Sequence, residues 1–160
     1  MSSAEQLQVL VAGVGNPDRG DDGVGPTVAR RLRGRVPSGV RILERSGDAL
    51  ALIEDWNGIP YVIVIDAVAL IREPGRVHRL DLTRTPLPFG FAPRSTHMFG
   101  IAGTIELARS LGRLPLQLVA YLVEGEQFET GRPLSPVVAG AVTEAAERIV
   151  TELYAIIGAS

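Results

Sequence analysis

Cysteine is absent from this chain of 160 residues, and histidine occurs only twice. A disulfide framework, a thiolate nucleophile and a cysteine-ligated zinc or iron–sulfur site are therefore excluded within the chain. Two histidines also exclude a three-histidine metal site. Any catalysis must depend largely on carboxylates, imidazoles, hydroxyl groups or a group that a partner supplies.

An excess of basic residues is lacking too, because the formal net charge is −2. We therefore expect no nucleic-acid partner. No apolar run approaches the length of a membrane span, and the stretch from Met1 to Gln6 lacks the charged-then-apolar pattern of a signal peptide. These absences predict a cytoplasmic protein with no membrane partner. The length suits one domain over residues 1–160, with a core at about 7–156.

Apolar runs alternate with segments of helical period along the chain. Strands are predicted at Val9–Ala12, Val40–Leu43, Tyr61–Ile65, Val77–Leu82 and Leu116–Val123. Helices are predicted around Val24–Leu32, Ala49–Trp56, Ile101–Leu111 and Pro136–Leu153, the last with Ser135 as its N-cap. This order predicts a single three-layer α/β domain. Its sheet should be twisted and mostly parallel, with helices on both faces and Val77–Leu82 at an edge.

Polar residues interrupt the chain where three of these apolar segments end or begin. Asp21 and Asp22 follow the first strand, Asp66 closes the third, and His97 precedes a helix. Loops at the carboxyl ends of parallel strands converge on one edge, where ligands bind. Two carboxylates and an imidazole suit either an oxygen/nitrogen metal site or proton transfer. A neutral imidazole, favoured at the positive end of a helix, would be free to bind metal.

The glycine-rich loop after the first strand has three competing interpretations. A dinucleotide fingerprint is disfavoured, because Asp18 replaces its third glycine and the aspartates oppose a pyrophosphate. An EF-hand is disfavoured by the spacing of the acidic residues. A structural role, in which Asp21 or Asp22 caps the following helix, stays open.

Structural roles also compete for the other candidates. Asp66 could be a strand-end residue that binds neighbouring amides, and His97 could be an ordinary surface or capping residue. His78, between Arg76 and Arg79, is interpreted as a solvated residue on the edge strand, and its replacement should be nearly silent. The proline-rich segment 83–94 is interpreted either as a crossover that packs its own rings or as a substrate-contacting loop.

The residues together resemble the nickel–iron hydrogenase maturation endopeptidases. The resemblance is carried by the motif from Gly13 to Gly25, by Ile65-Asp66-Ala67, and by the motif from Ser95 to Gly100. Two later segments, Leu122–Gly125 and Leu134–Pro136, are similar to the family as well. The likeness extends from about Val9 to Leu153. Ser46-Gly47-Asp48 is similar to a diverged form of the family's second glycine-rich loop.

This resemblance implies a five-stranded α/β fold and removal of a C-terminal extension from the hydrogenase large-subunit precursor after nickel insertion. The metal-contacting and catalytic residues it implies are Asp22, Asp66 and His97; some relatives carry glutamate at the position of Asp22. Nickel would be supplied by the precursor, and no nucleotide is implied. The alternative function is a non-catalytic nickel-binding or sorting module that uses the same ligands.

Overall fold

The computed structural model describes residues 8–87 and 100–157. Within these two ranges the chain forms five strands: β1 (Val9–Val14), β2 (Val40–Arg45), β3 (Tyr61–Val68), β4 (Val77–Asp81) and β5 (Gln117–Glu124). The same ranges contain the α-helices α1 (Val24–Leu32), α2 (Ala49–Trp56), α3 (Ile101–Ser110) and α4 (Pro136–Ile156), and a short 3-10 helix (Gly20–Gly23) precedes α1. These elements confirm the predicted order of strands and helices.

The strands form one sheet in the order β2-β1-β3-β5-β4. Strands β2, β1, β3 and β5 are parallel, and β4 joins β5 antiparallel at the edge. The predicted fold class and the edge position of β4 are therefore confirmed. After β1 the chain first adds β2 on one side of β1 and then adds β3 on its other side, so the direction of winding reverses there. Ligands of such sheets bind at the carboxyl ends of the two strands where the order reverses, which here are β1 and β3.

Strict alternation of side chains along each strand gives the sheet an apolar core on both faces. Val9 and Val11 of β1 face α1 and α4, whereas Leu10 and Ala12 face α2 and α3. A strand buried on both faces has apolar side chains at consecutive positions, which explains the continuous apolar runs in β1, β3 and β5. Helices α1 and α4 therefore cover one face of the sheet, and α2 and α3 cover the other.

Several local details differ from the sequence-based predictions. Strand β3 continues through Val68, so Asp66 lies inside the strand and does not close it. Ser135 is the N-cap residue of α4, yet its side chain makes no capping hydrogen bond and donates to Asp21. Asp48, in the predicted second family loop, caps α2 by accepting a hydrogen bond from the Ala51 amide at 3.2 Å.

Helix α1 lies unusually close to the two central strands because glycine occupies the contact. A Cβ at Gly25 would overlap the carbonyl oxygens of Val14 and Ile65. A Cβ at Gly13 would in turn overlap the carbonyl of Gly25. This approach holds the start of α1, and the 3-10 helix before it, against the carboxyl ends of β1 and β3. No helix among the described residues is long and apolar enough to cross a membrane.

Candidate active site

The loop between β1 and α1 folds around the side chain of Asp22. The Asn16 amide donates a hydrogen bond to Asp22 Oδ2 at 3.0 Å, and the Asp18 amide donates to Asn16 Oδ1 at 2.9 Å. Gly15 has a φ of +143° and packs so tightly on the Asp22 backbone that a Cβ would overlap its carbonyl oxygen. The glycine-rich motif therefore fixes a carboxylate at the carboxyl edge of the sheet. Asp22 itself is partly exposed to solvent.

Asp66 approaches the same edge from β3. Its register partner on β5 is Leu122, while on the other side Gly13 of β1 pairs with the preceding residue, Ile65. The Asp66 side chain is buried, with 8% of the residue exposed, and Oδ1 accepts a hydrogen bond from the Ala67 amide at 2.8 Å. Burial raises the pKa of Asp66 well above its ordinary value; the nearby Asp22 charge raises it further, and the Ala67 amide opposes both.

The Asp22 charge contributes to the raised pKa of Asp66, so the two carboxyl groups lie near enough to influence each other. The third predicted member, His97, lies outside the described residues, as do its neighbours Ser95 and Thr96. Among residues 8–87 and 100–157, no three histidine, aspartate or glutamate side chains cluster closely enough to hold a metal ion. The Asp22–Asp66 pair alone supplies hard oxygen donors, and a cation beside it would relieve the unfavourable charge that raises the pKa of Asp66.

Asp21, next to Asp22 in the sequence, makes a separate set of hydrogen bonds. It is fully buried, and its carboxylate accepts hydrogen bonds from the backbone amides of Glu126 and Gln127, both at 2.9 Å. The amide and hydroxyl of Ser135 donate to it as well, at 2.7 and 3.0 Å. Asp21 therefore ties the segment between β5 and α4 to the glycine-rich motif. It does not cap α1, whose N-cap is Gly23 without a side-chain hydrogen bond.

A third buried carboxylate, that of Glu124, ends β5 at the same edge. Its Oε1 accepts hydrogen bonds from the backbone amides of Ile71, Arg72 and Glu73. Its Oε2 lies 2.7 Å from Nε2 of His78. The interpretation of His78 as a solvated residue is therefore wrong, because only 18% of its side chain is exposed and it pairs with Glu124.

His78 shares a face of β4 with the half-buried Leu80, whereas Arg79 and Asp81 on the other face are exposed. Local sequence patterns did not indicate that a glutamate from β5 reaches His78. A clue lay in Glu124 itself, since a carboxylate that directly follows a long buried strand requires hydrogen-bond partners.

The chain is similar to known proteins over most of its length. Residues 26–152 match the model of the hydrogenase maturation protease family. The chain is 31% identical over 138 residues to the hydrogenase expression/formation protein HupD of Bradyrhizobium diazoefficiens, covering 84% of this chain and 72% of that protein.

The chain belongs to the hydrogenase maturation protease family.

A hydrogenase maturation protease from Escherichia coli supports the same membership over nearly the full length. The hydrogenase 2 maturation protease of that organism is 27% identical over 151 residues, covering 92% of this chain and 91% of the relative. The solved structure of the E. coli hydrogenase maturating endopeptidase HybD superposes with a TM-score of 0.78 at 27% identity, covering 91% of each chain. The present chain is accordingly a hydrolase, and specifically an endopeptidase. The alternative function, a non-catalytic nickel-binding or sorting module, is therefore disfavoured.

Proposed function

We propose that this protease removes a C-terminal extension from a nickel-loaded hydrogenase large-subunit precursor, and that Asp22, Asp66 and His97 recognise the bound nickel. Family membership supports maturation of a hydrogenase. The assignment of the three residues is supported by the motifs that carry the resemblance and by the Asp22–Asp66 pair. In this proposal the precursor is the partner protein, and nickel enters the site as part of that substrate. Residues 1–160 act as a single domain.

The observation that carries this proposal is the effect of Asp22 on the buried Asp66. Two carboxylates held together by the fold repel each other when both are ionised, and burial adds a desolvation penalty. A cation brought by the substrate would offset both. The site is therefore better suited to bind a positively charged centre than a neutral peptide alone.

The same pair accounts for discrimination between precursor states. A precursor without nickel would have to pack against two carboxylates with nothing to neutralise them, which penalises the wrong substrate as well as favouring the right one. Three ligands from this chain cannot fill a shell of four to six donors, and none is a thiolate. Water and the precursor's own ligands would complete the shell. The free protease should accordingly hold nickel weakly.

Two chemical routes fit the residues. A carboxylate can act as general base and take a proton from the water that attacks the scissile carbonyl carbon. The raised pKa of Asp66 makes it a better base than an ordinary aspartate. Alternatively, polarisation by the substrate's metal activates the water or the carbonyl. In both routes the C–N bond breaks and the departing amine takes up a proton.

The deciding experiment compares nickel-loaded and rigorously metal-free precursor with the purified protease. Mass spectrometry should show loss of the C-terminal extension from the loaded form and little or none from the metal-free form, even with excess enzyme. Calorimetry on the protease alone should show weak nickel binding that Asp22→Ala weakens further. Efficient cleavage of metal-free precursor would refute nickel recognition while leaving the protease assignment intact. Cell fractionation tests the proposed cytoplasmic location.

A further inference from the structure

The connection between β3 and β4 passes over the candidate active site's edge of the sheet. It leaves β3 shortly after Asp66, and both of its ends are tied to the end of β5. The Gly125 amide donates to the Val68 carbonyl at 2.9 Å, and the Gly75 amide donates to the Glu124 carbonyl at 2.7 Å. The Glu124 amide in turn donates to the Arg76 carbonyl at 3.0 Å. Backbone hydrogen bonds therefore hold both ends of the connection against the end of β5, next to the strand that carries Asp66.

The Glu124 carboxylate fixes the middle of this connection. Three successive amides, those of residues 71–73, converge on its Oε1 at 2.7, 2.6 and 3.1 Å. Such a nest of amides commonly binds an external anion, but here the protein's own carboxylate fills it. His78 satisfies the other oxygen. A fully buried charge is costly unless it is this well paired, so its hydrogen bonds strongly specify one backbone conformation.

That conformation presents two consecutive apolar side chains to solvent. Leu70 is 51% exposed and Ile71 is 38% exposed. Single exposed apolar residues are ordinary; Leu111 is 50% exposed just beyond α3, where the chain returns to the amino end of β5. Leu70 and Ile71 differ from Leu111 because they are adjacent, held by a buried carboxylate, and placed on the edge that carries Asp66.

We propose that Leu70 and Ile71 contact apolar side chains of the substrate polypeptide beside its scissile bond, and that Glu124, supported by His78, is the positioning residue that presents them. This inference rests on the proposed function. An endopeptidase must order a flexible segment over its site, and apolar contacts on a preorganised loop reduce the entropy lost on binding. These contacts do not involve the reacting atoms themselves, so they favour binding of substrate and transition state alike.

The test measures cleavage of nickel-loaded precursor as a function of its concentration. The double variant Leu70→Ser/Ile71→Ser should raise KM about tenfold and leave kcat within about twofold, as expected for loss of uniform binding. Leu111→Ser is the matched control, equally exposed but at the opposite edge of the sheet, and should leave both constants unchanged. A merely structural role would reduce the amount of active enzyme and therefore lower kcat, without raising KM.

A second measurement addresses the positioning residue. Glu124→Gln should speed hydrogen exchange at the amides of residues 71–73 and raise KM, again with little change in kcat. If this variant fails to fold, the surface variants still decide the matter. Wild-type cleavage together with equal KM values for the double variant and Leu111→Ser would overturn this inference alone. Failure of the wild type to cleave any loaded precursor would overturn the proposed function and this inference with it.

Discussion

Asp21 and Ser135 are joined by two hydrogen bonds although 114 residues separate them in the sequence. The amide and the hydroxyl of Ser135 both donate to the carboxylate of Asp21. One buried acidic side chain thereby connects the first motif of the chain with the start of its last helix. The next residue, Asp22, instead accepts a hydrogen bond from the Asn16 amide and influences the pKa of Asp66, so the two adjacent aspartates have different surroundings.

Asp21→Ala should unfold or strongly destabilise the protein, whereas Asp22→Ala should not. Removing the Asp21 carboxylate leaves the amides of Glu126, Gln127 and Ser135 without their acceptor inside the fold, which we expect to cost about 3–5 kcal/mol. Asp22→Ala should change the free energy of unfolding by less than about 1 kcal/mol and still abolish processing. Urea unfolding and precursor cleavage check both variants. Equal stability losses would contradict the separation of roles.

Asp66→Asn should stabilise the fold while abolishing processing. The raised pKa of Asp66 means that the folded protein binds its proton more tightly than the unfolded chain does. Its contribution to stability is therefore fully present below the ordinary pKa of 3.8 and is lost as pH rises through the folded-state value. The asparagine removes this loss, so Tm at neutral pH should rise by about 2–4 °C for each 1 kcal/mol regained.

Calorimetric scans between pH 4 and pH 8 test this expectation. The difference in Tm between Asp66→Asn and the wild type should grow as pH rises. A variant that is less stable than the wild type at neutral pH would show that Asp66 contributes a favourable interaction, and not the predicted electrostatic penalty.

Acid should weaken the fold through Glu124. Burial alone would raise the pKa of Glu124, but the amides of residues 71–73 and His78 outweigh it and lower the pKa to about 2. The resulting stability, on the order of 3 kcal/mol, is present above the unfolded value of 4.5 and is lost as pH falls toward 2. Glu124→Gln should therefore be less stable at neutral pH and show a flatter acid limb in urea unfolding.

Two helical glycines offer a matched pair for testing how the site is assembled. Gly25→Ala would force α1 away from the carbonyls of Val14 and Ile65, and we expect a loss of about 2–4 kcal/mol together with lost processing. Gly140 in α4 has open space where a Cβ would lie, so Gly140→Ala should stabilise the fold by about 0.5–1 kcal/mol. Thermal unfolding and cleavage assays compare the two. Similar behaviour would argue against close packing at Gly25.

Replacing each of the two histidines should change different kinetic constants of precursor cleavage. His97→Ala is expected to abolish cleavage of nickel-loaded precursor even at high precursor concentration, with Tm unchanged. His78→Ala removes a partner of the buried Glu124 and should lower stability by about 1–3 kcal/mol and raise KM, while kcat is retained. Equal loss of kcat in both variants would contradict the assignment of His97.

Much of the fold could be predicted from local patterns. Continuous apolar runs indicated β1, β3 and β5, because parallel strands covered on both faces need no polar alternation. Alternation over Val77–Leu82 predicted an edge strand, which the structure has at Val77–Asp81. The bounds predicted for α2, Ala49–Trp56, are those observed. The adjacency of β1 and β3, on which the predicted pairing of Asp22 with Asp66 depends, is confirmed, and the pairing itself stays a prediction.

The sequence by itself determined which side chains are available: carboxylates, two histidines and no thiol. It could not show that Asp21 binds Ser135, nor that His78 meets Glu124, because these contacts join residues far apart in the chain. Only the tertiary structure decided them. Burial makes a carboxylate costly unless nearby amides or a cation compensate it, and three-dimensional packing determines which compensation each receives. Asp21 and Glu124 receive amides, whereas Asp66 is held beside a second carboxylate.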